Sequence, residues 1–345
     1  MKRQSRPFFK LALHLALPAA TLLTHVPAFA SEEPRKCHYQ LAASMPLGSV
    51  QGLLSVEGQI NDSPVTFAID TGASHTILML QSIKKLGIAY GHVDQSAPGI
   101  GGDAKEYFAH VAKLAIGNLK GSHMDIAVLG EISSAPKFDG LMGTDLLYEY
   151  DVELSPIEKK MRLFRPDNCK ATYLGYWDTS AYKVDLQKMT RLDARESITV
   201  SINGHAFKAL LDSGASRTLI TVEAAAKAGV DLSGPNVARG QAIGGAGSQR
   251  VETWEAVFND ISIGGETIKG AKLMIADIWK AQRFETNDRV DHDSQADVVL
   301  GMDFFRSHRV LISQLQRRMY FSYAGGEAFG SILVSAEPDS AAASQ

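Results

Sequence analysis

Two copies of one phrase, 142 residues apart, constrain this chain more than anything else in it. Asp70-Thr71-Gly72-Ala73-Ser74 follows the apolar run Val65-Thr66-Phe67-Ala68-Ile69, and Asp212-Ser213-Gly214-Ala215-Ser216 follows Phe207-Lys208-Ala209-Leu210-Leu211. A single Asp-x-Gly phrase is an ordinary surface turn. Two of them on matching turns, one in each half of the chain, are what a facing pair of carboxyl groups requires. The flanks repeat too. Residues 60–88 align without a gap on 202–230, and nine of the 29 positions are identical. Self-similarity on this scale means that one structural unit is present twice.

The rest of each half follows suit. The turn Asn61-Asp62-Ser63-Pro64 has its counterpart at Asn203-Gly204, a strong hairpin signal. Helix-like stretches at 80–86 and 222–228 end at Gly87 and Gly229, a common helix stop. Glycine-rich phrases come next, Gly99-Ile100-Gly101-Gly102 and Ala242-Ile243-Gly244-Gly245, each before a strand, a turn at Gly117-Asn118 or Gly264-Gly265, and another strand. Leu141-Met142-Gly143-Thr144-Asp145 then matches Val299-Leu300-Gly301-Met302-Asp303, with a short helix and a last strand expected over 151–164 and 309–323. Closely spaced turn signals between apolar runs are an all-β pattern. We expect a mostly β fold of two tandem lobes, 46–166 and 193–325, joined by a connector at 167–192. A lead-in occupies 31–45, and the Gly-, Ala- and Ser-rich residues 326–345 read as a flexible tail. Residues 39–47 fit a strand or a linker. Lobe two carries about 16 extra residues, mostly the polar run 277–296.

Residues 1–30 read as a secretory signal. Lys2, Arg3, Arg6 and Lys10 precede an apolar stretch at 11–23 and the small-x-small site Ala28-Phe29-Ala30. Thirteen helical residues span about 20 Å, short of a hydrocarbon core of about 30 Å. The reading is therefore export, periplasmic or secreted, with no stable membrane anchor after cleavage. Removing four cations and no acid leaves 31 Lys and Arg against 38 Asp and Glu, a charge of −7. With no basic run in the body, nucleic acid is not an expected partner. The two cysteines, Cys37 and Cys169, permit one disulfide in an oxidising compartment, or remain as two thiols.

Peptide hydrolysis needs an activated water and a proton for the leaving amine. Two carboxyl groups that share one proton supply both, because like charges about 3 Å apart resist double ionisation. Asp70 and Asp212 are the candidates, titrating as one unit. Gly72 and Gly214 permit close approach of the two loops. The Thr71 and Ser213 hydroxyls are placed to brace the opposite loop, and those of Ser74 and Ser216 to hold the outer carboxylate oxygens.

These phrases resemble the retropepsin-like (retroviral-type) aspartic peptidases, in a single-chain form with both lobes present. The resemblance rests on 68–74, 210–216, Leu141-Met142-Gly143 and Val299-Leu300-Gly301 and covers about 46–325. It implies two β-barrel lobes related by a pseudo-twofold, with the active site between them. It also implies interlocking of Thr71 with Ser213, a peptide or protein substrate, no cofactor and no metal. Gly99, Ile100, Gly101 and Gly102, with Ile243, Gly244 and Gly245, would be the tips of two flaps. Neither tip carries the tyrosine of the pepsin branch. Retroviral enzymes are homodimers, whereas both lobes here lie in one chain, so a monomer is expected. A catalytically silent peptide-binding module of the same fold would carry the same frame, and a structural two-domain β-protein remains a third reading.

Other signals are weaker. Gly99 to Ala104 fits G-x-G-x-x-A, but Pro98 precedes it and a hairpin follows, where a dinucleotide site needs a strand before and a helix after. Ser74-His75 lacks a nucleophile elbow, and adjacent strand residues point apart. Asp291-His292-Asp293 has no further metal ligand in view. Trp254, after the second glycine phrase, suits the core or the cleft wall. Trp177 and Trp279 have no assignment from sequence.

Overall fold

The left-handed pairs Asn61-Asp62 (φ 50° and 66°) and Asn203-Gly204 (φ 50° and 80°) close the first hairpin of each half. They join Leu53–Ile60 to Ser63–Ile69 and Glu196–Ile202 to His205–Leu211, with Ile60 opposite Ser63 and Ile202 opposite His205. Both central residues of such a turn need positive φ, which asparagine, aspartate and glycine tolerate best. The computed structural model describes residues 36–130, 132–133, 136–189, 193–279 and 295–332. The expected signal at 1–30, most of the polar run 277–296 and Asp291-His292-Asp293 lie outside them.

Each half builds an eight-stranded sheet of the same topology. In the first, the order is Gly48–Val50, Leu53–Ile60, Ser63–Ile69, Gly140–Met142, Ile77–Met79, Leu119–Leu129, Gly102–Ile116 and Tyr90–Gly99. In the second it is Gln187–Lys188, Glu196–Ile202, His205–Leu211, Val298–Leu300, Leu219–Thr221, Glu266–Ala276, Thr253–Ile263 and Val237–Arg239. Leu53–Ile60 also pairs with Gly102–Ile116, and Glu196–Ile202 with Thr253–Ile263, so each sheet curls onto itself. The repeat is thus preserved strand by strand, and the chain is mostly β in two lobes.

A third sheet, of six strands, joins the lobes. Its order is His38–Pro46, Lys160–Asp167, Asp151–Ser155, His308–Ser313, Arg318–Tyr323 and Tyr182–Asp185. Two expectations change here. The stretches 151–164 and 309–323 are hairpins of two strands, and the expected short helices precede them, at Thr144–Leu147 and Met302–Phe305. The connector is also part of the architecture, since Tyr182–Asp185 is an edge of this sheet and Gln187–Lys188 an edge of the second barrel. The residues at 39–47 are largely strand. Cys37 and Cys169 are disulfide-bonded, tying the start of His38–Pro46 to the chain after Lys160–Asp167.

One continuous apolar core runs through both barrels and the shared sheet, including Phe67, Leu78, Val152, Leu163, Val200, Phe258, Leu300 and Phe321. The expected tail begins as structure. Glu327–Ala328 pairs with Ser331–Ile332, and Phe329 is fully buried, stacked over Phe304. No helix among the described residues is long and apolar enough to cross a membrane.

Candidate active site

Both aspartates sit where a strand ends beside an inserted one. Gly140–Met142 runs parallel to Ser63–Ile69, with Ile69 opposite Met142, and the Asp70 N–H donates to the Met142 carbonyl at 3.1 Å. In the other lobe Leu211 lies opposite Leu300, and the Asp212 N–H donates to the Leu300 carbonyl at 3.0 Å. The chain must then turn at once, and it turns toward its copy. A Cβ added to Gly72 would lie 2.4 Å from Asp212 Cγ, and one added to Gly214 would lie 2.4 Å from Asp70 Cγ. Only glycine at both positions lets each carboxyl group rest against the other loop. The two carboxyl groups thus face each other across the lobe boundary and influence each other's titration.

Backbone amides hold the inner oxygens. Gly72 N–H donates to Asp70 Oδ1 at 2.9 Å, Gly214 N–H to Asp212 Oδ1 at 2.9 Å, and Ala215 N–H to the same Asp212 oxygen at 3.0 Å. Behind them the loops are laced together. The Thr71 hydroxyl donates to the Leu211 carbonyl at 2.9 Å and accepts from Ser213 N–H at 3.0 Å. Ser213 returns both bonds, donating to the Ile69 carbonyl at 2.7 Å and accepting from Thr71 N–H at 3.1 Å. Both side chains are fully buried, so every one of these polar groups depends on the other lobe.

Burial raises both carboxyl groups. Asp70 is pushed up to about 8, first by desolvation and then by the neighbouring Asp212. Asp212 is also raised by desolvation, opposed by the Gly214 and Ala215 amides, by Asp70 and by the Arg195 guanidinium. A pair that resists losing its second proton can hold one proton between two oxygens and work as base and acid together.

Comparison with known proteins adds a family. A family model described as aspartyl protease matches residues 56–146 and again 198–304, once per lobe. The chain belongs to the aspartyl protease family. A search of curated protein sequences finds no match. Among solved structures, the aspartic proteinase from Irpex lacteus is similar at 14% identity and a TM-score of 0.48, over 85% of this chain and 99% of that one. The assignment rests on the two matched segments and agrees with the lobes described above.

In this chain the glycine phrases are tips of two arms that meet. Gly99 pairs with Gly102 across a tight hairpin at Ile100-Gly101, which rules out the strand-to-helix turn of a dinucleotide site. The second arm is looser, closing through a single bridge between Ile243 and Val251. Gly101 N–H donates to the Ala246 carbonyl at 2.8 Å, Gln249 N–H to the Gly101 carbonyl at 2.9 Å, and Ser133 N–H to the Gly245 carbonyl at 3.1 Å. A Cβ on Gly99 would meet Ala246 Cβ at 2.4 Å, and one on Gly244 would meet Ser133 Oγ at 1.8 Å. Ile100 and Ile243 pack with Ala215 on the apolar group formed by Leu219, Met274, Ile278 and Val299. The arms therefore reach the loop that carries Asp212.

Ser74 and Ser216 do not brace the carboxylates. The Ser74 hydroxyl lies 2.9 Å from His75 Nδ1, contrary to the expectation that these neighbours point apart, because the chain here is a bend and not a strand. Among the described residues Ser216 makes no hydrogen bond to Asp212. Behind each aspartate loop, residues that repeat in both halves form a network of their own. The Thr76 N–H and hydroxyl both donate to Asp145 Oδ1, at 2.8 and 2.7 Å, and Thr76 Oγ1 accepts from Gly143 N–H at 3.2 Å. Thr218, Asp303 and Gly301 repeat the arrangement. A Thr and an Asp recurring at both distances in the duplicated alignment was the available signal. Arg195 and Asp193 were missed, and one sequence offers no signal for them. Trp254 is half-buried against the main core, and Trp279 lies beside the apolar group under the arms, its indole N–H donating to the Ala296 carbonyl at 2.9 Å. Trp177 stacks under Arg309 at the shared sheet. Among the described residues no group of three or more His, Cys, Asp or Glu is placed to hold a metal ion.

Proposed function

We propose that this chain is an aspartic endopeptidase that hydrolyses peptide bonds with a water activated between Asp70 and Asp212. The observation that carries the reading is the facing of these two carboxyl groups, each packed on the glycine of the other lobe. An extended peptide would lie between the dyad and the arms, pairing its backbone with their edges. The ionised carboxylate takes a proton from water as the oxygen attacks the scissile carbonyl carbon. The protonated carboxyl gives its proton to the carbonyl oxygen, forming a tetrahedral diol. The dyad then gives its proton to the amide nitrogen while a diol hydroxyl returns one to the other carboxylate, so the C–N bond breaks to an amine and a carboxylic acid and the dyad is left with one proton.

Export to the periplasm or medium, removal of residues 1–30, and action as a monomer belong to the same proposal. They are supported by the basic-apolar-small start of the sequence and by a dyad completed within one chain. The test is cleavage of a random peptide library by the purified protein, with Asp70→Asn and Asp212→Asn as controls. Loss of cleavage in both variants, together with tight binding of a hydroxyl-containing transition-state mimic by the wild type, is the expected result. Full activity in either variant refutes the mechanism. Binding without cleavage by the wild type would make the protein a peptide receptor.

A further inference from the structure

The backbone around the two carboxyl groups is similar, with one further amide donor, Ala215, on Asp212, but the charge is not symmetric. Gly72 and Gly214 donate to their own aspartates at the same 2.9 Å, and Thr71 and Ser213 exchange matching bonds. Arg195 breaks the symmetry. Strand register identifies its counterpart: Glu196 and Ser197 pair with Lys188 and Gln187 as Leu54 and Ser55 pair with Ser49 and Gly48. The position before Glu196 is thus the position before Leu54, and Arg195 answers to Leu53, a buried apolar side chain.

Arg195 is aimed. Its Nε and Nη2 are held by the Asp193 carboxylate, with Nε at 2.8 Å from Oδ2. That leaves Nη1 facing the other lobe, where it donates to the Gly72 carbonyl at 3.4 Å. Gly72 is the residue on which the Asp212 carboxyl group rests. The guanidinium therefore stands one residue away from Asp212, and among the described residues no cation stands in the equivalent place beside Asp70.

We propose that Arg195 is a positioning residue that places the shared proton, keeping Asp212 as the ionised base and leaving the proton on Asp70. The proposal rests on the peptidase reading for its catalytic meaning, but not for its test. A nearby cation favours the charged form of a carboxyl group. The Gly214 and Ala215 amides also favour the ionised Asp212, so Arg195 adds to them, and the other charged groups nearby do not compete. Asp70 is the partner itself, and Asp193 is the counterion that orients Arg195 and lies on its far side. Glu196, next in the chain, is bound by Arg317. The Tyr148 hydroxyl is kept neutral by burial and by the acids near it. Both carboxyl groups are raised by burial, but Asp212 raises Asp70 further whereas Asp70 and Arg195 oppose the rise of Asp212, which agrees with the assignment.

The test is a carboxyl 13C NMR titration of the full-length chain labelled at aspartate, with Asp70→Asn and Asp212→Asn used to assign the two resonances. At pH 6 the Asp212 carbon is expected at the ionised shift and the Asp70 carbon at the protonated one. Arg195→Leu, which installs the residue of the other lobe, is expected to move the Asp212 titration up by about one pH unit and to draw the two resonances together. Arg195→Lys is expected to restore most of the difference. The acid limb of kcat/KM should move up in parallel in Arg195→Leu and not in Arg195→Lys. A wild-type Asp212 that holds the proton, or an Arg195→Leu titration that stays in place, overturns the proposal. So does a uniform loss of kcat/KM without a change in the pH profile. Because the NMR readout needs no turnover, a protein that cleaves nothing would sink the peptidase reading and still report where the proton lies.

Discussion

Thr71 and Ser213 each hold the backbone behind the other, through four hydrogen bonds between 2.7 and 3.1 Å across the lobe boundary. Replacing Thr71 by valine keeps the shape and removes the hydroxyl. The Ser213 N–H and the Leu211 carbonyl are then left buried without a partner, at about 1–3 kcal/mol for each such group. Thr71→Val is expected to lower unfolding free energy by about 2–4 kcal/mol in urea titrations. Ser213→Thr, which copies the first lobe, should cost much less.

The dyad makes stability depend on pH in the direction opposite to an ordinary ion-paired carboxylate. Asp70 is raised from 3.8 to about 8 in the folded chain, by burial first. Its neutral form is favoured in the fold, so its contribution is fully present below the unfolded value and is lost as pH rises through about 8. Asp70→Asn is neutral at every pH. It should match the wild type near pH 4 and exceed it by about 1–3 kcal/mol at pH 8, read from thermal melts across that range. Peptide cleavage by the wild type should fall over the same alkaline interval, as the shared proton leaves.

Glu153 occupies the centre of the sheet that joins the lobes, directly opposite Leu311. The alignment of Gly143 with Gly301 displaces the second copy by 158 positions, so Leu311 is the counterpart of Glu153. The flanking pairs, Val152 with Ile312 and Leu154 with Val310, are crosswise copies, which places the pseudo-twofold axis here. The Glu153 carboxylate is fully buried and is held by Arg162, by Arg309 of the second half and by the Tyr176 hydroxyl. Glu153→Ala leaves Arg162 and Arg309 with Glu158 as their remaining carboxylate and should destabilise the protein by about 1–3 kcal/mol, measured by calorimetry.

The arms cannot close over a side chain at Gly99. A Cβ there would lie 2.4 Å from Ala246 Cβ and 2.5 Å from its carbonyl oxygen. Gly99→Ala should hold the tips apart and lower kcat/KM by about tenfold or more, with a smaller effect on melting temperature. An unchanged kcat/KM would show that the tips need not meet during turnover.

The bond between Cys37 and Cys169 closes a loop over a sequence separation of 132 residues. It anchors an edge strand of the shared sheet, whose Tyr39 ring stacks on Phe164 at 4.6 Å. Replacing both cysteines by serine should lower stability by about 3–5 kcal/mol on the loop-entropy account. Denaturant unfolding with and without reductant checks it.

Much of the frame was legible because its signals are local. The hairpins at Asn61-Asp62 and Asn203-Gly204 follow from residues that tolerate left-handed backbone, and the helices Leu80–Lys85 and Val222–Lys227 stop where Gly87 and Gly229 supply it. The misreadings share one cause. Ser74 turns to His75, and 151–164 folds into a hairpin, because neighbouring packing chose among options that the sequence allowed equally.

By itself, the sequence determined that one β unit occurs twice and that each copy ends an apolar strand in Asp-x-Gly, since turn chemistry and duplication are written in adjacent residues. Tertiary structure alone decided that Glu153 meets its own counterpart, that the two arms touch at Gly101 and Ala246, and that Arg195 reaches Gly72 where the matching Leu53 cannot. Such contacts join positions far apart in the chain, so no local pattern encodes them. They exist only once the halves have closed around a common axis and burial has fixed which groups face each other.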